Sequence, residues 1–205
     1  MAPHFKHEHK LRKQGAWPVA GVDEVGRGPL AGPVVASAVI LDPDNLPDGL
    51  DDSKKLTARA REFAYKQIFS KALAIGIGLS PAHEIDRVNI RQATHLVMRR
   101  ALFGLAMIPA HALIDGNDLP KNLPCPGTTL VKGDAHSLSI AAASIIAKVT
   151  RDRLMQRLSE AEPHYGFAQH AGYGTLAHRQ ALILHGPGAF HRLTFAPIKN
   201  LALPR

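Results

Sequence analysis

Apolar positions recur along this chain with two periods. Runs of consecutive or alternating apolar residues, bounded by Gly, Pro and Asp, predict strands, and runs spaced by three and four predict helices. Val19 to Asp23 reads as a buried strand that stops at two acids, Asp23 and Glu24. Ala31 to Leu41 is a second strand, rich in β-branched residues and broken by Pro43-Asp-Asn-Leu-Pro47. A hairpin through Gly26-Arg27-Gly28 joins the two. Thr57 then caps a helix through about Ala72. Ala74 to Leu79 is a third strand, and Ser80-Pro81 opens a short helix, since proline suits the first helical position. From about Ile90 to Leu105, Ala93, Leu96, Val97, Ala101, Leu102 and Leu105 mark one helical stripe.

Two further strands follow. Ala110 to Gly116 ends in Asp115-Gly116, and Thr128 to Lys132 ends in Gly133-Asp134. Ser137 to about Leu158 reads as a long helix, and a last helix runs to about His185 before Gly186-Pro187. Strands and helices in this order imply an α/β protein with helices on the faces of one sheet.

Composition adds bounds. The 205 residues suit one domain, or one domain with a small appendage. No apolar run approaches the roughly 18 residues of a membrane helix, so no membrane role is expected. The first residues contain no apolar signal region, and the single cysteine, Cys125, excludes an internal disulfide. Both features point to the cytoplasm. Cys125 is read as a free thiol without a catalytic role. Residues 1–16 are polar and basic, with His4, His7 and His9, and are expected to form a flexible arm.

A net charge of +8 suggests a polyanionic partner, most simply nucleic acid. The candidate chemistry sharpens that. Asp23, Glu24, Asp115 and Asp134 all fall at predicted strand ends. One such acid means little, because Asp-Gly is a common turn. If the strand ends are neighbours, four carboxylates converge and their repulsion calls for cations. Hard oxygen donors without Cys or paired His favour Mg2+ or Mn2+ over zinc. An all-carboxylate site on a basic protein suits two-metal phosphodiester chemistry. Side chains alternate along a strand, so Asp23 and Glu24 reach one site only if the strand twists, bulges or ends between them.

The combined motifs resemble a known family. They are Gly21-Val-Asp-Glu-Val-Gly-Arg-Gly-Pro-Leu-Ala-Gly32, Asp52-Ser-Lys-Lys-Leu56, Leu113-Ile-Asp-Gly116, Val131-Lys-Gly-Asp134, Ala142-Ala-Ser-Ile145, Ala147-Lys-Val-Thr-Arg-Asp152 and Gly172-Tyr-Gly-Thr175. In order, from about residue 17 to 200, they are similar to type 2 ribonuclease H, in particular bacterial ribonuclease HII. That resemblance implies an RNase H-like fold: a mixed central sheet with flanking helices and a helical C-terminal extension from about residue 160. Residues 17–205 would form a single catalytic domain. It implies an endonuclease cutting RNA in RNA–DNA hybrids and 5′ to ribonucleotides embedded in DNA, leaving 5′-phosphate and 3′-hydroxyl ends. A monomer is implied as well.

By position, the resemblance makes Asp23, Glu24, Asp115 and Asp134 the metal ligands. It makes Gly26, Arg27 and Gly28 the loop that reads the ribose 2′-hydroxyl, and Tyr173 the residue that packs on the sugar. Ser53, Lys54 and Lys55 match a phosphate-contacting loop. Lys132 and Ser144 stand as further substrate-binding candidates. Ser144, Lys148 and Arg151 share a helix face, and Arg151 with Asp152 reads equally as a salt bridge or as functional. Ala171 stands where relatives often have Lys, and His136 where they often have Arg. Another metal-dependent nuclease of the same fold and a non-catalytic nucleic-acid-binding protein are the competing readings.

Overall fold

A computed structural model describes residues 2–50, 53 and 56–200. Its centre is a five-stranded sheet in the order β3-β2-β1-β4-β5, formed by β1 (Val19–Val25), β2 (Val34–Leu41), β3 (Ala72–Ser80), β4 (His111–Asp115) and β5 (Gly127–Leu130). β1, β2 and β3 form an antiparallel meander, while β4 and β5 run parallel to β1. The sheet is therefore mixed, as the α/β expectation requires.

Helices cover both faces. On one face lie α3 (Ala82–Val88) and α4 (Ile90–Phe103), whose Val97, Met98, Ala101 and Leu102 pack on Ala20, Val22, Ala36 and Ala38. On the other lie α2 (Ala58–Lys71) and α5 (Leu138–Ala161), with Ile68, Ala142, Ile145 and Ile146 packed on Val39 and Leu41. Burying these apolar stripes against a two-faced sheet is the main driving force for the fold. Gly21 allows α5 to lie close on β1: a Cβ there would stand 2.1 Å from the Ser139 backbone.

The C-terminal extension comprises α6 (Phe167–His170) and α7 (Leu176–His185). Tyr165, Phe167, Leu182 and Ile198 form a separate apolar cluster with Leu30, Ala31 and Met155. The extension thus packs on the β1–β2 hairpin loop and on the far end of α5.

Three expectations change. The expected flexible arm at residues 1–16 is, over the described residues 2–16, built around a docked helix, α1 (Lys6–Lys13). Phe5 and Leu11 pack beside Trp17. Glu8 is fully buried, and its Oε1 accepts from Ser137 Oγ at 2.5 Å and Ser139 N at 3.0 Å. A carboxylate on the unpaired N–H groups of a helix N-terminus is favourable, and α5 is the longest helix of the described residues. Second, the last strand stops at Leu130, and Asp134 sits instead on a short 3₁₀ turn, Gly133–Ala135. Third, β1 neither ends nor bulges between Asp23 and Glu24, because its ladder with β2 continues to Val25↔Val35.

Candidate active site

The alternation in β1 decides where its two acids point. Residues directly opposite in an antiparallel pair share a face. Asp23 pairs with Ser37, whose hydroxyl donates to Ala143 O on α5 at 2.8 Å. Glu24 pairs with Ala36, which packs among the α4 residues. The two acids therefore face opposite sides of the sheet. They meet again because the cavity lies at the end of β1. It has a volume of about 280 Å3 and is lined by Asp23, Glu24, Val25, Ser53, Asp115, Asp134, Ser144, Lys148 and Tyr173.

Topology brings in the other acids. β4 runs parallel to β1 with Ile114 beside Val22, so Asp115 arrives one residue later, next to Asp23. Its Oδ1 accepts from Gly133 N at 2.6 Å, which ties the Asp134 turn to the end of β4. Gly133 was not singled out by sequence, where it read only as a turn residue.

The electrostatics of the acids reflects burial and mutual repulsion. Burial, then the charges of Glu24 and Asp115, pushes the Asp23 carboxyl well above its ordinary range, against a hydrogen-bonding influence from Ser144. Burial also raises Glu24, partly offset by Arg27 and reinforced by Asp115. Asp115 is raised by burial and by Asp134, against the bond from Gly133. Arg27 Nη1 lies 3.4 Å from Glu24 Oε1, with the arginine more than half exposed. Such a pair contributes little. Among the described residues, no three or more His, Cys, Asp or Glu side chains converge as a ready-formed metal group. The four acids instead line one common hollow. Their donor set of hard oxygens fits a divalent cation of the Mg2+ or Mn2+ class.

The remaining predicted residues divide. Ser53 and Ser144 meet inside the cavity, Oγ to Oγ at 2.9 Å. Tyr173 is about half exposed at its rim, and its ring faces Gly28: a Cβ built there would lie 3.7 Å from Cε1. Lys132 is exposed and does not line the cavity. Lys54 and Lys55 lie outside the described residues. Lys148, which sequence placed only on a helix face, does line it and donates to Asp152 at 2.7 Å. The salt bridge on α5 is therefore Lys148–Asp152.

Arg151 turns elsewhere. It is 1% exposed and donates to the carbonyls of Pro33, Ala171 and Ala31 at 2.9, 3.0 and 3.2 Å. Arg192, which sequence did not flag, is also fully buried. It donates to Gly26 O at 2.6 Å, Arg27 O at 2.9 Å and Gly32 O at 2.9 and 3.1 Å. Burial and the Arg151 charge lower its pKa to about 9, so it remains a cation at neutral pH. Gly26 has φ of +92°, and a Cβ there would strike Arg151 Nε at 2.2 Å. Arg192 thus holds the glycine loop beside the acids, and Arg151 ties the Ala31–Pro33 segment after it to Ala171.

A family model for ribonuclease HII matches residues 20–198. The chain belongs to the ribonuclease HII family. The ribonucleases HII of Brucella canis and Brucella abortus are each 56% identical to it over 201 residues, covering 98% of this chain and 91% of each relative. Among solved structures, the ribonuclease H2 from Pyrococcus horikoshii is similar with TM-score 0.75 and 27% identity, over 89% of this chain and 95% of that one. The Archaeoglobus fulgidus ribonuclease HII, solved in a complex with PCNA, gives TM-score 0.69 and 26% identity over 86% and 94%. The RNase H-like fold follows. The chain is an endoribonuclease acting on RNA–DNA hybrids, and it depends on a divalent cation. Family membership sets aside the binding-protein reading. No helix of the described residues is long and apolar enough to cross a membrane.

Proposed function

We propose that this endonuclease also cuts duplex DNA on the 5′ side of a single embedded ribonucleotide, leaving 5′-phosphate and 3′-hydroxyl ends. The observation that carries the proposal is one cavity that joins all four acids to Tyr173, whose ring faces Gly28. Chemistry and sugar recognition are thereby adjacent.

Asp23, Glu24, Asp115 and Asp134 would hold two ions of Mg2+ or Mn2+. Bound there, the ions supply Lewis acidity at the scissile phosphate and lower the pKa of an attacking water. The chain's own residues do the rest. The Gly26-Arg27-Gly28 backbone presents itself to the ribose 2′-hydroxyl, the one group that separates RNA from DNA. Tyr173 packs on the sugar and excludes water. Lys148, with the hydroxyls of Ser53 and Ser144, binds phosphate oxygens. Exposed Lys132 contacts the nucleic-acid backbone beyond the cavity, and Lys54 and Lys55 are assigned to phosphate contact from the sequence alone.

Residues 17–205 act as one catalytic domain, with the extension from about residue 160 supplying Tyr173. It works as a cytoplasmic monomer. Cleavage of an end-labelled duplex containing one ribonucleotide tests the specificity. The expected product ends on the 5′ side of that ribonucleotide and bears a 3′-hydroxyl that a polymerase extends. Cleavage on the 3′ side, or a product that cannot be extended, overturns it.

A further inference from the structure

The C-terminal extension gathers histidines that this chemistry does not use. His178, on α7, is fully buried, and His191 is 3% exposed. Their Nε2 atoms lie 2.9 Å apart. One of the two must carry a proton and the other must not, and the flanking bonds decide which. Gly188 N donates to His191 Nδ1 at 2.9 Å, so that nitrogen holds no proton. Neutral His191 therefore carries its proton on Nε2 and donates to His178. His178 Nε2 is then the acceptor, and its own proton sits on Nδ1. That nitrogen faces the carbonyl oxygen of Tyr173 at 2.9 Å, and a carbonyl only accepts. Every link runs one way: Gly188 to His191 to His178 to Tyr173.

The chain needs both rings neutral, and the burial of both favours that form. Burial, then the nearby His178 and His164, lowers His191 to about 4. Burial lowers His178, opposed by its backbone bond to Tyr173 and helped by nearby His170. His170 stacks on His178 with centroids 4.6 Å apart, and it is fixed in turn by Gly172 N on Nδ1 and Tyr165 O on Nε2.

The residue after His191 is Arg192, which grips the carbonyls of Gly26, Arg27 and Gly32. One dipeptide therefore anchors both walls of the slot: the glycine loop through Arg192, and Tyr173 through His191 and His178. We propose that His178 and His191 are positioning residues, which fix Tyr173 against the glycine loop and so set the width of the slot that takes the ribose. This rests on the reading of Tyr173 as a sugar contact.

A double-mutant cycle separates the two. Wild type, Tyr173→Ala, His178→Leu and the double variant are compared on a duplex with one ribonucleotide and on a long RNA–DNA hybrid. His178→Leu is expected to lower kcat/KM on the single-ribonucleotide duplex about tenfold, with a smaller loss on the hybrid. The double variant should match Tyr173→Ala within about twofold, because positioning has no value once the ring is gone. In His178→Asn an amide N–H takes the place of Nδ1–H, and most of the loss should be recovered. If Tyr173→Ala is impaired but the His178→Leu loss multiplies onto it in full, the inference is overturned and the sugar-contact reading stands. If Tyr173→Ala is unimpaired, both fall. A measurement without substitution guards against misfolding: 15N chemical shifts should report the Nδ1–H tautomer at His178 and Nε2–H at His191. The opposite tautomer at His178 overturns the chain.

Discussion

Arg192 offers a sharp test of how the glycine loop is held. Arg192→Met keeps most of the side-chain length and removes the guanidinium. The carbonyls of Gly26, Arg27 and Gly32 lose their donor, and the first and last of these bonds are buried. Hydrogen bonds to a charged group contribute about 1.5–3 kcal/mol each, and a buried orphan acceptor costs about 1–3 kcal/mol. Against this, the variant no longer desolvates a cation, which itself costs several kcal/mol. The balance is a loss of about 2–4 kcal/mol. At about 2–4 °C per kcal/mol for a chain of this size, Tm should fall by about 4–16 °C. Differential scanning calorimetry measures that, and cleavage is assayed well below the lowered Tm. There, kcat/KM on an RNA–DNA hybrid should drop about tenfold, since the loop beside Glu24 loses its register. Arg192→Lys should lie between, because an ammonium lacks the planar fork that reaches several carbonyls. A Tm loss under about 2 °C with unchanged kcat/KM would refute the reasoning.

Other outcomes follow from the same contacts. Asp23, Glu24 and Asp115 are raised in the folded state, so the metal-free protein loses stability as pH rises from the ordinary carboxylate range through those raised values. Added Mg2+ or Mn2+ should raise Tm most at neutral pH and progressively less on acidification; an equal shift at pH 5 and 7.5 contradicts this. Gly26→Ala places a Cβ on Arg151 at a φ of +92°, and should cost at least about 1–2 kcal/mol and most of the activity, read by thermal unfolding and cleavage. Glu8→Ala removes the carboxylate on Ser137 and Ser139 and should lower Tm by about 2–8 °C with kcat within about twofold; no change in Tm would mean a solvated arm after all.

Much of this was legible in the sequence, and the exceptions share a cause. Apolar periodicity located β1, β2 and β4, α4 and α5, because their core faces are buried and apolar; β3, β5 and α2 were found from apolar runs and flanking turn residues even though several of their apolar side chains are exposed or half-buried. The α1 helix escaped notice because one of its buried positions is Glu8, and a buried acid reads as solvent-exposed until its partners on α5 are known. Asp134 was placed at a strand end for want of a signal separating a strand's last residue from a 3₁₀ turn. Ideal alternation raised the question of how Asp23 and Glu24 share a site; the answer is a cavity beyond the end of β1, which no local pattern encodes. Arg151, Arg192 and the histidine chain were the least visible. Arg192 reaches a carbonyl 166 residues away, and an arginine inside a protein looks in sequence like one on its surface.

The central claim is that four carboxylates at the ends of β1 and β4 and on the Gly133–Ala135 turn form a divalent-cation site for phosphodiester cleavage. Titrating Mg2+ or Mn2+ into wild type and Asp23→Asn, with an RNA–DNA hybrid as substrate, tests it most directly. Wild type should be silent in chelator and active with the cation, while Asp23→Asn should lose at least about a hundredfold in kcat and remain as stable as wild type or more so without metal. An Asp23→Asn protein that cleaves at the wild-type rate would contradict the account.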